Sequence, residues 1–283
     1  MIKNIVFSGG GFKGFCYIGC IKCLEEYNFL ENIEIFCGTS IGSLFATLLY
    51  IKMSYKEIYD SIFSIDFKDG LNLNTESMFN FLDNYGLDDG KNYLHIIKKI
   101  ISKKINVSID EDITFIKLYN IFKKKLIING TCVNTNTCEY FDYINTPYMS
   151  VYKAIIISST IPIFFRPVLH NEKLYVDGGI LNNFPINLFI NNLEETIGFQ
   201  ISILFENKKI DNFIDYLIEV CLSAKYIDSE KNLSYKKYII NLFIDNISFL
   251  DVNIDLKKRN ELITNGYNNT KKYIETRFRL YLD

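Results

Sequence analysis

The sequence predicts an α/β domain of three layers, α/β/α, with helices on both faces of a mostly parallel sheet. Three observations carry that reading. The first fifty residues alternate strand, helix, strand, helix, the pattern that builds parallel sheets under helices. Gly38-Thr39-Ser40-Ile41-Gly42 stands at the second strand-to-helix junction, after a glycine-rich loop at the first. Asp177-Gly178-Gly179 ends a later strand, at the sheet edge where α/β sites gather.

Ile5-Val6-Phe7 is a short apolar strand that runs into Gly9, Gly10 and Gly11. From Phe15 to Asn28, Phe15, Ile18, Ile21 and Leu24 recur at helical spacing with Lys22, Glu25 and Glu26 off the stripe, which predicts an amphipathic helix. Ile33 to Cys37 reads as a second strand stopped by Gly38. Ile41 to Met53 is apolar nearly all round and reads as a buried helix. Asp66 to Asn84 is polar and turn-rich, a surface excursion. Lys91 to Lys103 is helical in pattern with a basic face, and Lys125 to Asn134 pairs with Thr137 to Tyr143 as strands. Val151 to Ser158 reads as a helix that closes before Pro162, because the residue before proline disfavours helical backbone. Lys173 to Val176 and Thr196 to Leu204 are further strands, and amphipathic helices over Asn212–Ala224 and Leu256–Phe278 complete the chain. No repeat or low-complexity linker divides it. One domain over 1–283 is expected, with a core of about 5–205 and a helical C-terminal part of about 206–283.

Composition narrows the function classes. With 31 Lys+Arg against 33 Asp+Glu the net charge is −2, which gives no electrostatic reason to expect nucleic acid. No basic stretch, long apolar core or cleavage site precedes the first strand. Seven cysteines, an odd number, suit reduced thiols. An intracellular, cytoplasmic protein is expected. Cys16, Cys20 and Cys23 share one face of the first helix, and without a histidine cluster they read as small buried side chains rather than a metal site.

The chemistry rests on few residues. Gly9, Gly11 and Gly14 satisfy the spacing of a dinucleotide-binding loop, yet the same loop suits backbone N–H groups aimed at an ester-hydrolysis oxyanion. A serine at a strand–turn–helix corner is held exposed to substrate by strained backbone, and small neighbours allow close approach, so Ser40 is a candidate nucleophile. The plainer reading is a helix cap. An activated serine needs a base. The two histidines, His95 and His170, sit in a basic helix and a turn, and neither has a catalytic context. Asp177 is the alternative: a carboxylate in reach takes a serine proton directly if its surroundings tune it. Ile161 to Phe165 suits an acyl-chain pocket, a lipid surface or plain burial.

GGGFKG, GTSIG and DGG, in that order, resemble the motifs of the patatin-like phospholipases, serine lipid acyl hydrolases with a Ser–Asp dyad. TFIKLY, the run AIIISSTIP–FF–PV and LNNFP support the likeness, which covers about Ile5 to Phe205. The resemblance implies Ser40 as nucleophile, Asp177 as base and the Gly9, Gly10 and Gly11 amides as oxyanion hole. Lys13, Gly14, Gly38, Gly42, Gly178 and Gly179 would support them. The family usually carries arginine where Lys13 stands; lysine keeps the charge without the planar fork. No metal or cofactor is implied. The implied partners are a phospholipid or other acyl-lipid substrate and, transiently, a membrane surface. The rival readings are a non-catalytic lipid-binding or scaffold protein on the same fold and a dinucleotide-dependent oxidoreductase. The latter wants an acidic residue at the end of the second strand, and Glu34 sits inside it.

Overall fold

A computed structural model of the chain describes residues 1–63, 65, 70–71, 80–202, 232–244 and 254–279, together with 210, 213, 216–217, 219–221 and 223. Most of the stretch from Asp66 to Asn84 and of the helix expected over Asn212–Ala224 lies outside these residues, as do Leu204 and Phe205.

The opening alternation is as read: β1 (Asn4–Phe7), α1 (Phe15–Glu26), β2 (Ile35–Gly38) and α2 (Ile41–Tyr50), with a 3-10 turn at Gly11–Gly14 leading into α1. α3 (Tyr55–Ile62) starts at a capping box, in which Ser54 and Glu57 satisfy each other's orphan N–H groups. After α4 (Phe81–Asn84), β3 (Gly86–Asp88), α5 (Lys91–Ile105) and α6 (Phe115–Phe122), the chain enters the expected pair β4 (Lys125–Cys132) and β5 (Thr137–Phe141). α7 (Val151–Ser159), capped by the Ser150 side chain, stops short of Pro162. Next come β6 (Ile163–Phe165), β7 (Val168–His170), β8 (Lys173–Asp177), β9 (Thr196–Ser202), β10 (Ile239–Phe243) and α8 (Leu256–Phe278), the last capped by Asp255.

The main sheet runs β10-β9-β1-β2-β4-β8-β7, with β5 also on β4. β10, β9, β1, β2 and β4 are mutually parallel; β5 and β8 join β4 antiparallel, and β7 joins β8 likewise. β3 and β6 form a separate parallel pair. One face carries the large core, to which α1, α2, α3, α5, α6, α7 and α8 contribute. The other face is thinner among the described residues. Val6, Cys37 and Ile127 pack there against Phe184 and against Ile186 and Phe189 of the following 3-10 stretch, Pro185–Glu195, rather than against a regular helix.

α1 differs from its amphipathic reading, because it is buried nearly all round. Its outer side is covered by α8 at backbone contact: a Cβ added to Gly19 would stand 1.8 Å from the Ile263 carbonyl oxygen, and one on Gly266 1.9 Å from that of Cys16. Arg259 ties the start of α8 to the end of α3, donating from Nη1 to the Phe63 and Ile65 carbonyls at 2.6 and 3.0 Å. Cys16, Cys20 and Cys23 are buried free thiols in this contact, and burial pushes them up, Cys23 to about 12, so they stay protonated. No group of three or more His, Cys, Asp or Glu fit to hold a metal occurs among the described residues. Nor is any described helix long and apolar enough to cross a membrane.

Because the clash at Gly19 is with backbone, Gly19→Ala is expected to destabilise the fold by about 3 kcal/mol, the upper end of overpacking costs. The urea midpoint of unfolding measures it.

Candidate active site

Ser40 occupies the corner between β2 and α2 with φ 53 and ψ −128, a left-handed conformation that a non-glycine residue keeps only when its surroundings impose it. The surroundings are explicit. The Ser40 N–H donates to Ser158 Oγ at 2.8 Å, and its carbonyl accepts from the Ser43 hydroxyl at 2.6 Å and the Ser43 N–H at 2.8 Å. The corner is too tight for side chains on either side. A Cβ on Gly38 would stand 2.2 Å from the Gly42 carbonyl, and one on Gly42 2.5 Å from that of Ser8. Ser40 itself is 4% exposed.

The glycine loop lies against this serine. A Cβ on Gly9 would come within 3.0 Å of Ser40 Cβ and 2.4 Å of Asn183 Oδ1. The Gly9 N–H donates to the Asn183 carbonyl at 3.1 Å, and Asn183 Nδ2 returns a bond to the Gly9 carbonyl at 3.4 Å. The Gly9 amide is therefore committed within the protein, which corrects its place among three oxyanion donors. No described group accepts the N–H of Gly10 or Gly11, at the mouth of the 3-10 turn. Gly14 packs on Ile41, and Lys13, 2% exposed, closes the turn with its N–H on the Gly10 carbonyl at 3.2 Å.

Asp177, at the end of β8, has no solvent exposure. Its Oδ1 accepts the Gly179 N–H at 2.6 Å, its own N–H donates to the Thr160 carbonyl at 2.7 Å, and its carbonyl accepts from Thr131 Oγ1 at 2.9 Å. Two shared supports bring the serine and aspartate corners to one place. Ser158 holds Ser40 and Thr160 holds Asp177, both at the end of α7. Asn129, on β4 between the two strands, is the second. Its Oδ1 accepts from Thr39 Oγ1 at 2.7 Å, while Nδ2 donates to the Asn182 carbonyl at 2.9 Å and the Gly178 carbonyl at 3.4 Å. Gly178 presses on Asn129, its added Cβ 2.6 Å from the Asn129 carbonyl.

Neither histidine joins this cluster. His95 is exposed on α5. His170 pairs with Lys173, four residues down β8 from Asp177 and therefore ~13 Å along the strand. Burial, then the Lys153 charge, lower its pKa against the opposing pull of Glu139.

Ser40 opens on a pocket with about 760 Å³ of empty space, part of it open to solvent. Its walls include Phe12, Phe15, Phe45, Ile161, Phe164 and Phe165, so the Ile161–Phe165 run lines the pocket rather than serving burial alone. Ser40, Tyr93 and Ser159 are the hydroxyl-bearing residues of its walls. Burial, with the Asp177 charge adding to it, pushes the Tyr93 phenol up to about 12, so it stays protonated.

Sequence reasoning missed Asn129, Ser158, Tyr93 and Asn183 as site residues. A lone asparagine in the apolar strand KLIING was a readable signal, since a buried amide must be hydrogen-bonded. Asn129→Ala is expected to slow labelling of Ser40 by a fluorophosphonate probe about 100-fold, the cost of a small misplacement. Thr39→Val, which cuts only the serine side of the link, should slow it less; labelling time courses decide.

A family model for patatin-like phospholipase matches residues 5–190. The chain is 31% identical over 285 residues to protein R571 of Acanthamoeba polyphaga mimivirus, covering 96% of this chain and 94% of that one. It is 29% identical over 245 residues to the probable lipid hydrolase 463L of Invertebrate iridescent virus 6, with 86% and 78% covered. Among solved structures, VipD from Legionella pneumophila superposes with a TM-score of 0.67 at 17% identity, over 98% of this chain and 67% of that one. ExoU of Pseudomonas aeruginosa, in complex with SpcU, gives 0.56 at 16% identity over 99% of this chain and 53% of that one, so the chain spans about half of ExoU. These two likenesses concern the fold. The family match, by contrast, covers well over half of the sequence and all three motifs, and the chain belongs to the patatin-like phospholipase family.

Proposed function

We propose that the chain is an acyl-lipid hydrolase of the phospholipase A type, working through Ser40 and Asp177. The observation that carries this reading is the strained Ser40 corner set against a glycine loop with two uncommitted N–H groups. The apolar pocket beside it fits an acyl chain and offers little to a dinucleotide pyrophosphate.

Asp177 accepts the Ser40 proton as Oγ attacks the ester carbonyl carbon. The carbonyl oxygen becomes an oxyanion, stabilised by the Gly10 and Gly11 N–H groups in a water-poor pocket where such bonds are strong. Collapse of the intermediate breaks the bond to the alcohol, which leaves with the proton held by Asp177. Water then attacks the acyl-serine and gives its proton to Asp177. The acid departs, and the proton returns to Ser40. No step needs a metal.

The test is fatty-acid release from mixed phospholipid vesicles with EDTA present. Ser40→Ala and Asp177→Asn are each expected to lose about 10⁴-fold in rate, while His170→Ala keeps wild-type turnover. An equally inactive His170→Ala would restore a triad, and wild-type protein without activity would end the hydrolase reading.

A further inference from the structure

Beyond Tyr93 and Ser159 the Ser40 pocket adjoins a smaller one, with about 240 Å³ of empty space, that shares Tyr93, Ser159 and Phe165 with it. Arg166 lines this side pocket. Its backbone is fixed at the end of β6, where its N–H donates to the Asp88 carbonyl at 2.9 Å and the adjoining Phe165 ring stacks on Tyr93 at 6.4 Å. The guanidinium has no such anchor. Its Nε is buried and makes no hydrogen bond, and no described carboxylate forms an ion pair with it. Asp89 also lines the pocket and feels the Arg166 charge, but its bonded partner is Lys91, whose Nζ lies 2.8 Å from Oδ2 and whose N–H donates to Oδ1 at 3.1 Å. A buried Nε–H without an acceptor is costly to keep, and the planar fork of arginine matches a pair of anionic oxygens. Such a group beside a nucleophile is explained by a ligand that brings the oxygens.

We propose that the Arg166 side pocket is the subsite for the phosphate of an acyl lipid, so that the Ser40 pocket takes the acyl chain and Arg166 the anionic head. The inference rests on the hydrolase reading and names the substrate class of that site.

The test compares kcat/KM for two soluble esters with the same acyl chains, dihexanoyl phosphatidic acid and dihexanoylglycerol. The wild-type protein should prefer the phosphorylated ester, and Arg166→Gln should lower that preference at least tenfold, mainly by raising KM. Arg166→Lys, which keeps the charge and loses the fork, should fall between them and serves if Arg166→Gln does not fold. A preference equal in all three overturns the proposal. Inorganic phosphate as an inhibitor of dihexanoylglycerol hydrolysis separates the sources. Inhibition that Arg166→Gln abolishes shows that phosphate alone is held; none, with the preference intact, shows that the whole lipid is required. Calorimetric binding of dihexanoyl phosphatidic acid to Ser40→Ala, with and without Arg166→Gln, keeps the two readings apart. Binding that needs Arg166 in a protein without turnover sinks the hydrolase and leaves the subsite. Turnover with binding and preference indifferent to Arg166 does the reverse.

Discussion

The tight corner between β2 and α2 is the constraint around which this fold is arranged. A serine at φ 53 carries strain of order 1–3 kcal/mol and relaxes unless its neighbours over-determine it. Gly38 and Gly42 let β2, α2 and the end of β1 meet at backbone distance, which leaves the turn no room to open. Ser158 takes the Ser40 N–H and Ser43 its carbonyl, so the peptide groups flanking the serine are both tethered. α2 can follow so sharp a turn because it is apolar nearly all round and is held by the core rather than by its own propensity.

Polar bonds inside that core set the second corner against the first. Asn129 is 1% exposed, where an amide gains strong bonds if satisfied and costs heavily if not. It is satisfied by groups from both functional turns, Thr39 on one side and Gly178 and Asn182 on the other, so neither turn moves without breaking a buried bond. Asn183, at the end of the aspartate turn, ties it to the glycine loop by accepting the Gly9 N–H at its carbonyl and donating from Nδ2 to the Gly9 carbonyl. The alignment of three loops from distant parts of the chain thus depends on two asparagines and a helix end. The helical layer behind them is closed by α8 on α1, a backbone contact that Gly19 and Gly266 alone permit.

Local pattern made part of this legible. Strands and helices announced by short-range periodicity, β1 through α2 and the β4–β5 pair, stand where the spacing puts them, and Ser40 and Asp177 lie at the strand ends that their flanking glycines marked. What escaped depends on partners far away in sequence. The amphipathic reading of α1 failed because its polar-flanked side meets a helix some 240 residues on, a distance no local window spans. β10 is ILE-rich but short, IINLF, and is a strand because β9 lies open beside it. The glycine loop was legible as a tight loop after β1, but the commitment of the Gly9 N–H follows from Asn183, visible only once β8 has turned back toward β1.

On the proposed reading a carboxylate stands in for a histidine base, and its surroundings suit that role. Each of the two histidines is misplaced, one exposed on α5 and the other near the far end of the β7–β8 hairpin. A carboxylate in water is a weak base toward a serine hydroxyl, and its competence depends on being dry and correctly aimed. Asp177 has no solvent exposure and is held at Oδ1 by Gly179, which fixes the plane of the carboxylate. Tyr93, protonated because burial raises its pKa to about 12, brings a neutral donor into the Ser40 pocket without adding a competing base. The pocket walls are largely phenylalanine and isoleucine, so an acyl chain that fills it expels water from around Ser40. On the proposed reading, acyl-chain binding dries the site where Ser40 reacts, so a long acyl chain gains reactivity as well as affinity from the apolar contact it makes.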